Sequence, residues 1–221
     1  MSVPEYTEVN PVLHRDLAFP YRLLKPANAS GECLFLLHGS GVDETTMVPI
    51  ARQIAPDATL VAVRGRIPQE DGFRWFERIT PTRFEQASIR AETSAFAAFS
   101  SEAAERHRLD LTRTTFLGYS NGANLVSSLM LLKPGLVRKA ALLRAMPVLD
   151  DVPSTDLSAT RVLIIAGAAD QTYGPFAPTL VTLLHGRGAE VDARIVPSGH
   201  EIGGPDAAIV RQWLAGSVVV A

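Results

Sequence analysis

Six short apolar runs, separated by loops and helix-compatible segments, constrain the fold of this chain more than any other feature. Most of them are continuously apolar, which is typical of strands that are covered on both faces, as in a parallel sheet. Parallel strands that alternate with helices are joined by right-handed crossovers. The pattern therefore predicts a doubly wound, mostly parallel α/β sheet with helices on both faces. The predicted strands are Cys33–Leu37, Thr59–Val63, Thr114–Leu117, Lys139–Arg144, Arg161–Ala166 and Val191–Val196.

Helical patterns occupy the longer segments between these runs. Apolar residues recur on one face of the first segment, and the others end at glycine or proline breakers. An earlier extended segment, Asp16–Leu23, is expected to add an antiparallel edge strand. The predicted helices are Glu85–His107, Asn121–Leu132, Pro175–Gly186 and Pro205–Ala215.

Composition excludes several classes of function. A chain of 221 residues can form one sizeable core, and we expect a single domain over residues 1–221. The net charge of −2 offers no basic field for nucleic acid or anionic lipid. Cys33, the one cysteine, excludes an internal disulfide framework and a multi-cysteine metal site, and its apolar run predicts a buried strand residue. With neither a leader nor a membrane-length apolar run, we expect a cytoplasmic protein without stable membrane association.

A glycine-rich motif lies between a predicted strand and the predicted helix that follows it. Gly118-Tyr119-Ser120-Asn121-Gly122 reads G-x-S-x-G, after the run Thr114–Leu117 and before a helix-compatible segment. A sharp strand-turn-helix with small flanking residues exposes the serine hydroxyl as a nucleophile. The alternative is a serine in a glycine-rich turn without chemistry. The strand and helix on either side favour the nucleophile.

A serine nucleophile needs a base and an acid that orients the base. Of the five histidines, only His200 lies in a loop after the last predicted strand, at the sheet edge where Ser120 also emerges. His107 and His185 are expected to be surface or capping residues, and His38 directly ends a strand. The chain order serine-acid-histidine therefore favours His200 as the base.

The acid is expected between Ser120 and His200. Asp170 follows a predicted strand at the same edge of the sheet and is the first choice. Asp150 and Asp151, in a proline-bounded segment, are the second choice. Asp170 has a structural alternative as the cap of the helix that follows.

Backbone N–H groups are expected to stabilise the oxyanion of a tetrahedral intermediate. One is the N–H of Asn121, directly after the serine, and the other is assigned to Ser40 in the loop after the first core strand. Gly39 and Gly41 flank Ser40 and keep bulky side chains away, although a plain glycine turn is the alternative. No Gly-Lys-Ser/Thr follows these glycines, which excludes a phosphate-binding loop and makes a nucleotide-binding domain the least favoured interpretation.

Five sequence blocks in this order resemble the small α/β-hydrolases of the phospholipase/carboxylesterase group, which includes the acyl-protein thioesterases and lies close to the dienelactone hydrolases. The resemblance runs from about residue 16 to 215. The blocks are Leu37–Glu44, Arg64–Arg66, Gly118–Asn124, Gly167–Asp170 and Gly199–Glu201.

The resemblance implies an α/β-hydrolase fold with little or no lid, no metal and no cofactor. It implies Ser120 as nucleophile, Asp170 as acid and His200 as base, with backbone donors at Ser40 and Asn121. Acyl-protein thioesterases commonly have Gln after the serine, where this chain has Asn121, and dienelactone hydrolases use a cysteine nucleophile. The sequence Ser-Asn-Gly-Ala-Asn looks more like a bacterial carboxylesterase branch.

The longest predicted irregular segment, residues 64–82, is rich in aromatic and charged side chains. By the same resemblance, Phe73, Trp75 and Phe76 line an acyl pocket; the alternative is that they are core residues that anchor the loop. Three arginines in the segment either bind an acidic substrate or, as we favour, form solvated ion pairs with nearby acids. These arginines are Arg64, Arg66 and Arg74, and the acids are Glu70, Asp71 and Glu77.

Together these features predict a serine carboxylesterase that acts on small to medium ester substrates. A thioesterase or lysophospholipase would use the same three residues. A non-catalytic ligand-binding protein of this fold is a further alternative, although such a protein would normally lack one of the three. The terminal residues Val218–Val220 either pack on the core or join a subunit contact, which leaves a homodimer open.

Overall fold

A seven-stranded sheet forms the centre of the computed structural model, which describes residues 12–69 and 71–216. The strand order is β1-β3-β2-β8-β9-β10-β11, with β1 antiparallel to β3 and the other neighbours parallel. The strands of this sheet are β1 Tyr21–Leu24, β2 Cys33–Leu37, β3 Thr59–Val63, β8 Thr114–Tyr119, β9 Lys139–Leu143, β10 Arg161–Gly167 and β11 Glu190–Val196. The helices are α1 Val48–Ile54, α2 Gln86–His107, α3 Asn121–Leu132, α4 Ala177–Gly186 and α5 Gly204–Leu214. Short 3₁₀ turns cover Leu111–Arg113 and Gly174–Phe176.

Both faces of the five inner strands are buried, which explains their apolar runs, whereas the edge strands β1 and β11 keep partly exposed residues. Side chains of a strand alternate between the two faces. In β2, Phe35 and Leu37 belong to one core layer and Leu34 and Leu36 to the other. The first layer packs against α2, α3 and α4, and the second against α1 and α5. The predicted doubly wound sheet with helices on both faces is confirmed.

The predicted core strands and helices agree with the structure to within two residues at each end, and the differences have physical causes. In the predicted edge segment Asp16–Leu23, residues 16–19 are bends and the strand begins at Tyr21. The strand predicted to end at Arg144 ends one residue earlier, because Arg144 has a left-handed φ of 54° that takes the chain out of the sheet. The sequence pattern did not identify α1, whose seven residues are too few to show a clear helical period.

The segment 64–82, predicted to be irregular, contains short strands. β4 Ile67–Gln69 pairs with β5 Gly72–Arg74, and β6 Arg78–Thr80 pairs with β7 Arg83–Phe84. Strands of two or three residues are too short to show a periodic pattern, which is why the sequence did not predict them. Tight turns between such strands bring them into register. Loops and these two hairpins leave the carboxyl edge of the sheet, in agreement with little or no lid.

Several other predictions concern the whole chain. Cys33 is buried, as expected. Within residues 12–69 and 71–216, no helix is long and apolar enough to cross a membrane. In the same residues, no group of His, Cys, Asp and Glu side chains could hold a metal ion. Val218–Val220 lie outside the described residues, and the single domain over 1–221 stays a prediction.

Candidate active site

Ser120 lies at the junction of β8 and α3 in a strained backbone conformation. Its φ of 52° and ψ of −116° are sparsely populated for a residue with a side chain. The flanking glycines permit the turn: a Cβ on Gly118 would lie 2.6 Å from the Ala123 backbone, and one on Gly122 would lie 2.3 Å from the Leu37 carbonyl oxygen. The backbone N–H of Ser120 donates to the Leu143 carbonyl at 2.8 Å. This is the geometry that the G-x-S-x-G motif predicts.

His200 and Asp170 lie in hydrogen-bonding contact with this serine. The distance from His200 Nε2 to Ser120 Oγ is 2.8 Å, and that from His200 Nδ1 to Asp170 Oδ2 is also 2.8 Å. Because an ionised carboxylate only accepts, Nδ1 carries the proton and Nε2 is left to accept from the serine hydroxyl. The His200 side chain is 36% exposed and the Asp170 side chain 1%, so the imidazole faces the solvent while the acid is enclosed.

Asp170 faces His200 and is not a helix cap, because the N-cap residues of the 3₁₀ turn Gly174–Phe176 and of α4 are Tyr173 and Phe176. Asp170 Oδ1 accepts from the backbone N–H groups of Thr172 and Tyr173, each at 3.0 Å, while Oδ2 faces His200. Burial acts to raise the pKa of this carboxyl, but the hydrogen bonds from Tyr173 and His200 outweigh it, and the pKa lies below its usual range. Asp170 is therefore ionised at neutral pH, as an orienting acid must be.

The second-choice acids lie elsewhere. The backbone N–H of Asp150 donates to the side chain of Gln86 on α2. The carboxylate of Asp151 is 93% exposed and lies 3.6 Å from Arg90, also on α2. Of the three candidates, the structure brings only Asp170 to His200.

Of the other histidines, His38 is the most enclosed. The backbone N–H of Gly65 donates to its Nε2 at 3.0 Å, so the proton sits on Nδ1, which donates to the Gly39 carbonyl at 2.6 Å. Burial lowers the pKa of His38 to about 4, which keeps the ring neutral. His38 therefore supports the loop that carries Ser40.

The remaining histidines lie outside this cluster. His185 is exposed in the last turn of α4, as expected. His107, expected to be a surface or capping residue, is half-buried at the end of α2 and shares a 2.7 Å hydrogen bond with the Tyr21 hydroxyl. His14 stacks on the same Tyr21 ring.

The loop after β2 is held in place by the hairpin β4–β5. Gly41 N–H donates to the Phe73 carbonyl at 3.0 Å, and Phe73 N–H donates to the Val42 carbonyl at 2.9 Å. The two segments approach so closely that a Cβ on Gly72 would lie 2.4 Å from the carbonyl carbon of Gly41. This docking fixes the backbone on either side of Ser40.

The two predicted oxyanion donors differ in their surroundings. Asn121 is the first residue of α3, where a backbone N–H has no intrahelical acceptor. Ser40 is half-buried in the loop that the hairpin holds. Among the residues that the structure describes, neither N–H donates to a protein acceptor. Both groups are thus free to bind an anion.

The aromatic residues predicted to line a pocket divide between core and surface. Trp75 and Phe76 are 0% exposed and belong to the core. For these two residues the structure therefore agrees with the alternative, that they are core residues that anchor the loop. Trp75 Nε1 donates to the His38 carbonyl and its backbone N–H donates to Asn121 Oδ1, both at 2.8 Å. Trp75 thus joins the Ser40 loop to the start of α3. Phe73 keeps partial exposure beneath the Arg64 guanidinium.

The arginines of residues 64–82 form buried or half-buried contacts, and their partners differ from those predicted. Arg64 pairs with Glu44, and Arg66 with Glu92 of α2, each through two hydrogen bonds. Arg74 is buried and its Nε donates to the Phe76 carbonyl. The predicted pairs with Asp71 and Glu77 are wrong, because tertiary contacts outweigh nearness in sequence; Glu70 lies outside the described residues.

Three residues around His200 were not identified from the sequence. The Tyr119 hydroxyl donates to the His200 carbonyl at 3.1 Å, and the ring of Tyr173 meets the imidazole edge-on at 5.0 Å between centroids. Arg144, after β9, donates to the backbone on both sides of His200. For Arg144, the one signal in the sequence is a positively charged residue directly after an apolar strand.

Several known proteins with similar sequences or structures are named as hydrolases or carboxylesterases. No protein-family model matches the chain. MhqD of Bacillus subtilis strain 168, named as a hydrolase, is 30% identical over 191 residues, which are 86% of this chain and 96% of that protein. A carboxylesterase from Mesorhizobium loti is 78% identical with a TM-score of 0.92, covering 94% of this chain and 99% of its own. The Bacillus cereus carboxylesterase is 25% identical with a TM-score of 0.86, covering 91% and 96%.

The similarity to these proteins supports the α/β-hydrolase fold and the family that the sequence motifs indicated. The agreement extends over most of both chains in each comparison. The protein is therefore a hydrolase that acts on ester bonds, and it belongs to the phospholipase/carboxylesterase family of α/β-hydrolases.

Proposed function

We propose that this protein is a serine carboxylesterase that hydrolyses small to medium carboxylic esters through Ser120, His200 and Asp170. The observation that carries the proposal is the position of His200, with Nε2 2.8 Å from Ser120 Oγ and Nδ1 2.8 Å from Asp170 Oδ2. A nucleophile, a base and an orienting acid in this contact are the requirements for acyl transfer.

Acylation begins when Ser120 Oγ attacks the ester carbonyl carbon while its proton passes to His200 Nε2. The carbonyl π electrons move to the oxygen, and the resulting oxyanion accepts from the backbone N–H groups of Ser40 and Asn121. Asp170 stabilises the imidazolium without taking its proton. The bond to the leaving alkoxide then breaks, and the alkoxide takes the proton from Nε2.

Deacylation repeats these steps with water as the nucleophile. His200 takes a proton from the water, whose oxygen attacks the acyl carbon. Collapse of the second tetrahedral intermediate breaks the bond to Ser120 Oγ, which regains the proton from His200. The products are the alcohol, the carboxylic acid and the free enzyme, so the atoms and electrons of the reaction balance without a cofactor.

The surroundings of Ser120 support a substrate of limited size. In segment 64–82 the hairpin β4–β5 docks on the Ser40 loop, so the described part of the segment supplies no long lid for an insoluble fat. The rings of Tyr173 and Tyr119 lie beside the His200 ring, at 5.0 and 5.6 Å between centroids. The substrate is thus expected to be a small molecule, and cytoplasmic location and a homodimer stay predictions.

Ester hydrolysis by paired variants tests the proposal. Wild type, Ser120→Ala and His200→Ala are assayed with p-nitrophenyl acetate, butyrate and octanoate. We expect kcat/KM to fall by at least about 10³-fold in both variants, since each removes a group that acts as part of one unit. The matched controls are Ser101→Ala on α2 and His185→Ala on α4, whose side chains are exposed and should leave activity unchanged.

A fluorophosphonate probe separates an enzyme from a binding protein of the same fold. Wild type is expected to be labelled at Ser120, and Ser120→Ala to remain unlabelled while keeping the wild-type circular dichroism spectrum. An unlabelled, well-folded wild type would contradict the proposed mechanism. Comparison of p-nitrophenyl esters with matched acyl thioesters and a lysophospholipid decides between the carboxylesterase and its two alternatives.

A further inference from the structure

Arg144 is a buried cation that ester hydrolysis does not require. It follows β9 directly, with a left-handed φ of 54°, and its backbone N–H donates to the Ile165 carbonyl at 2.9 Å. The side chain is 0% exposed. A buried guanidinium is costly unless its donors are satisfied, so the positions of its partners indicate what it supports.

The guanidinium of Arg144 binds the loop that carries His200 on both sides of that residue. Nε donates to the Gly199 carbonyl at 2.9 Å, which precedes His200. Nη2 donates to the Glu201 carbonyl at 2.8 Å, which follows it, and to Ser198 Oγ at 2.8 Å. One rigid planar group therefore fixes the backbone before and after the imidazole.

The opposite side of the guanidinium is held by Asp206 in the first turn of α5. Nη1 and Nη2 reach Asp206 Oδ1 and Oδ2 at 2.8 and 3.2 Å, and the carboxylate is 2% exposed. Asp206 Oδ2 also accepts from the backbone N–H of Gly203 at 2.8 Å, which closes the far end of the His200 loop. Arg144 Nη1 reaches the Ile165 carbonyl of β10 at 3.3 Å. Arg144 thus joins the His200 loop to β10 and, through Asp206, to α5.

The same loop packs tightly against the segment that carries Asp170. Ala169 N–H donates to the Ser198 carbonyl at 3.0 Å. A Cβ on Gly167 would lie 2.2 Å from the Gly199 carbonyl oxygen, the acceptor that Arg144 also binds. A shift of the backbone at Gly199 would therefore change the distance between His200 and Asp170.

We propose that Arg144 is a positioning residue that holds His200 between Ser120 and Asp170. The proposal rests on the proposed function, because His200 must be aligned for proton transfer. Arg144 itself contacts neither Ser120 nor the reacting atoms; it acts through the backbone on either side of His200. Lysine cannot replace it, since an ammonium has three donors at one point and lacks the planar fork that spans these acceptors.

Arg144→Lys and the double variant Arg144→Met/Asp206→Leu test the proposal. Arg144→Lys keeps a positive charge opposite Asp206 but loses the planar set of donors. The double variant removes both charges, so neither variant leaves an unpaired buried carboxylate. We expect kcat for p-nitrophenyl butyrate to fall by about 10²-fold with little change in KM, because misplacement of a catalytic group by about 1 Å costs this much. Arg161→Lys, at the opposite end of the neighbouring strand β10, is the matched control and should keep wild-type kcat.

Proton NMR supplies a readout that does not depend on turnover. The Nδ1–H of His200, bonded to the Asp170 carboxylate, is expected to give a low-field resonance in wild type that Asp170→Asn removes. In folded Arg144→Lys this resonance should shift or vanish, whereas Arg161→Lys should retain it. A folded Arg144→Lys, or a folded double variant, that keeps both kcat and the resonance would show that Arg144 is only structural. If wild type is inactive but the resonance depends on Arg144, the proposed function fails while the positioning role stands.

Discussion

His38 is expected to make the free energy of unfolding fall as the solution is acidified. Its ring is 0% exposed, and both nitrogens are used by the neutral form, Nε2 as the acceptor for Gly65 N–H and Nδ1–H as the donor to the Gly39 carbonyl. A second proton on Nε2 would oppose the Gly65 N–H. Burial is the largest cause that lowers the pKa of His38 to about 4, although the Gly39 hydrogen bond and nearby acids oppose it.

The sign and size of the effect follow from the two pKa values. The pKa of a histidine in an unfolded chain is about 6.5, so between that pH and about 4 the unfolded chain binds more protons than the folded one. The stabilisation from the neutral ring is complete above the unfolded pKa and decreases as the pH falls through this window. Proton linkage gives a loss of roughly 2 kcal/mol at about pH 5 relative to about pH 7.5, approaching about 3 kcal/mol at lower pH.

Urea unfolding followed by tryptophan fluorescence measures this loss. His38→Gln removes the titrating group and retains an oxygen that can accept from Gly65 N–H, while His185→Gln removes an exposed histidine as the control. Between about pH 7.5 and 5, wild type and the control should each lose roughly 2 kcal/mol more than His38→Gln. Equal losses in wild type and His38→Gln would refute the buried neutral tautomer.

Two further substitutions test the supports around Ser120 and Ser40. Gly122→Ala should lower the free energy of unfolding by about 3 kcal/mol or more, because the new Cβ would lie 2.3 Å from the Leu37 carbonyl oxygen. Gly186→Ala is the control: its Cβ would meet no heavy atom within 4 Å, so the same urea titration should show no change in stability. Trp75→Phe leaves the His38 carbonyl without its indole donor and should lower both the unfolding free energy, by about 1–3 kcal/mol, and kcat. Trp213→Phe, on the other face of the sheet, should affect stability without lowering kcat, and an equal loss of kcat in both tryptophan variants would contradict the role assigned to Trp75.

The sheet and the neighbourhood of Ser120 were predictable because their requirements are local. A strand buried on both faces needs an unbroken apolar run, and Cys33–Leu37 shows this directly. A turn that passes from strand to helix within one residue needs small neighbours, and Gly118 and Gly122 supply them. Chain order then singled out Asp170 and His200, which the structure brings to Ser120.

Contacts between distant segments could not be predicted in this way. The partners of Arg64 and Arg66 come from the loop after β2 and from α2, not from the acids beside them in sequence. An aromatic residue such as Trp75 fits a pocket or a core equally well. Its burial in the core follows from the position of β5, which directly precedes it. Arg144 had no local reason for its position, since all its side-chain acceptors come from β10, the His200 loop and α5.

The end of β9 links the two halves of the proposed mechanism, although that strand supplies no reacting group. The Leu143 carbonyl accepts from Ser120 N–H at 2.8 Å and so helps to hold the strained turn of the candidate nucleophile. The next residue, Arg144, holds the loop of the candidate base. Because successive residues of one chain segment contact both loops, the peptide unit between Leu143 and Arg144 contributes directly to the spacing of these loops. A change that moves this unit should therefore disturb the distance between Ser120 and His200 more than an equal change at the sheet edge.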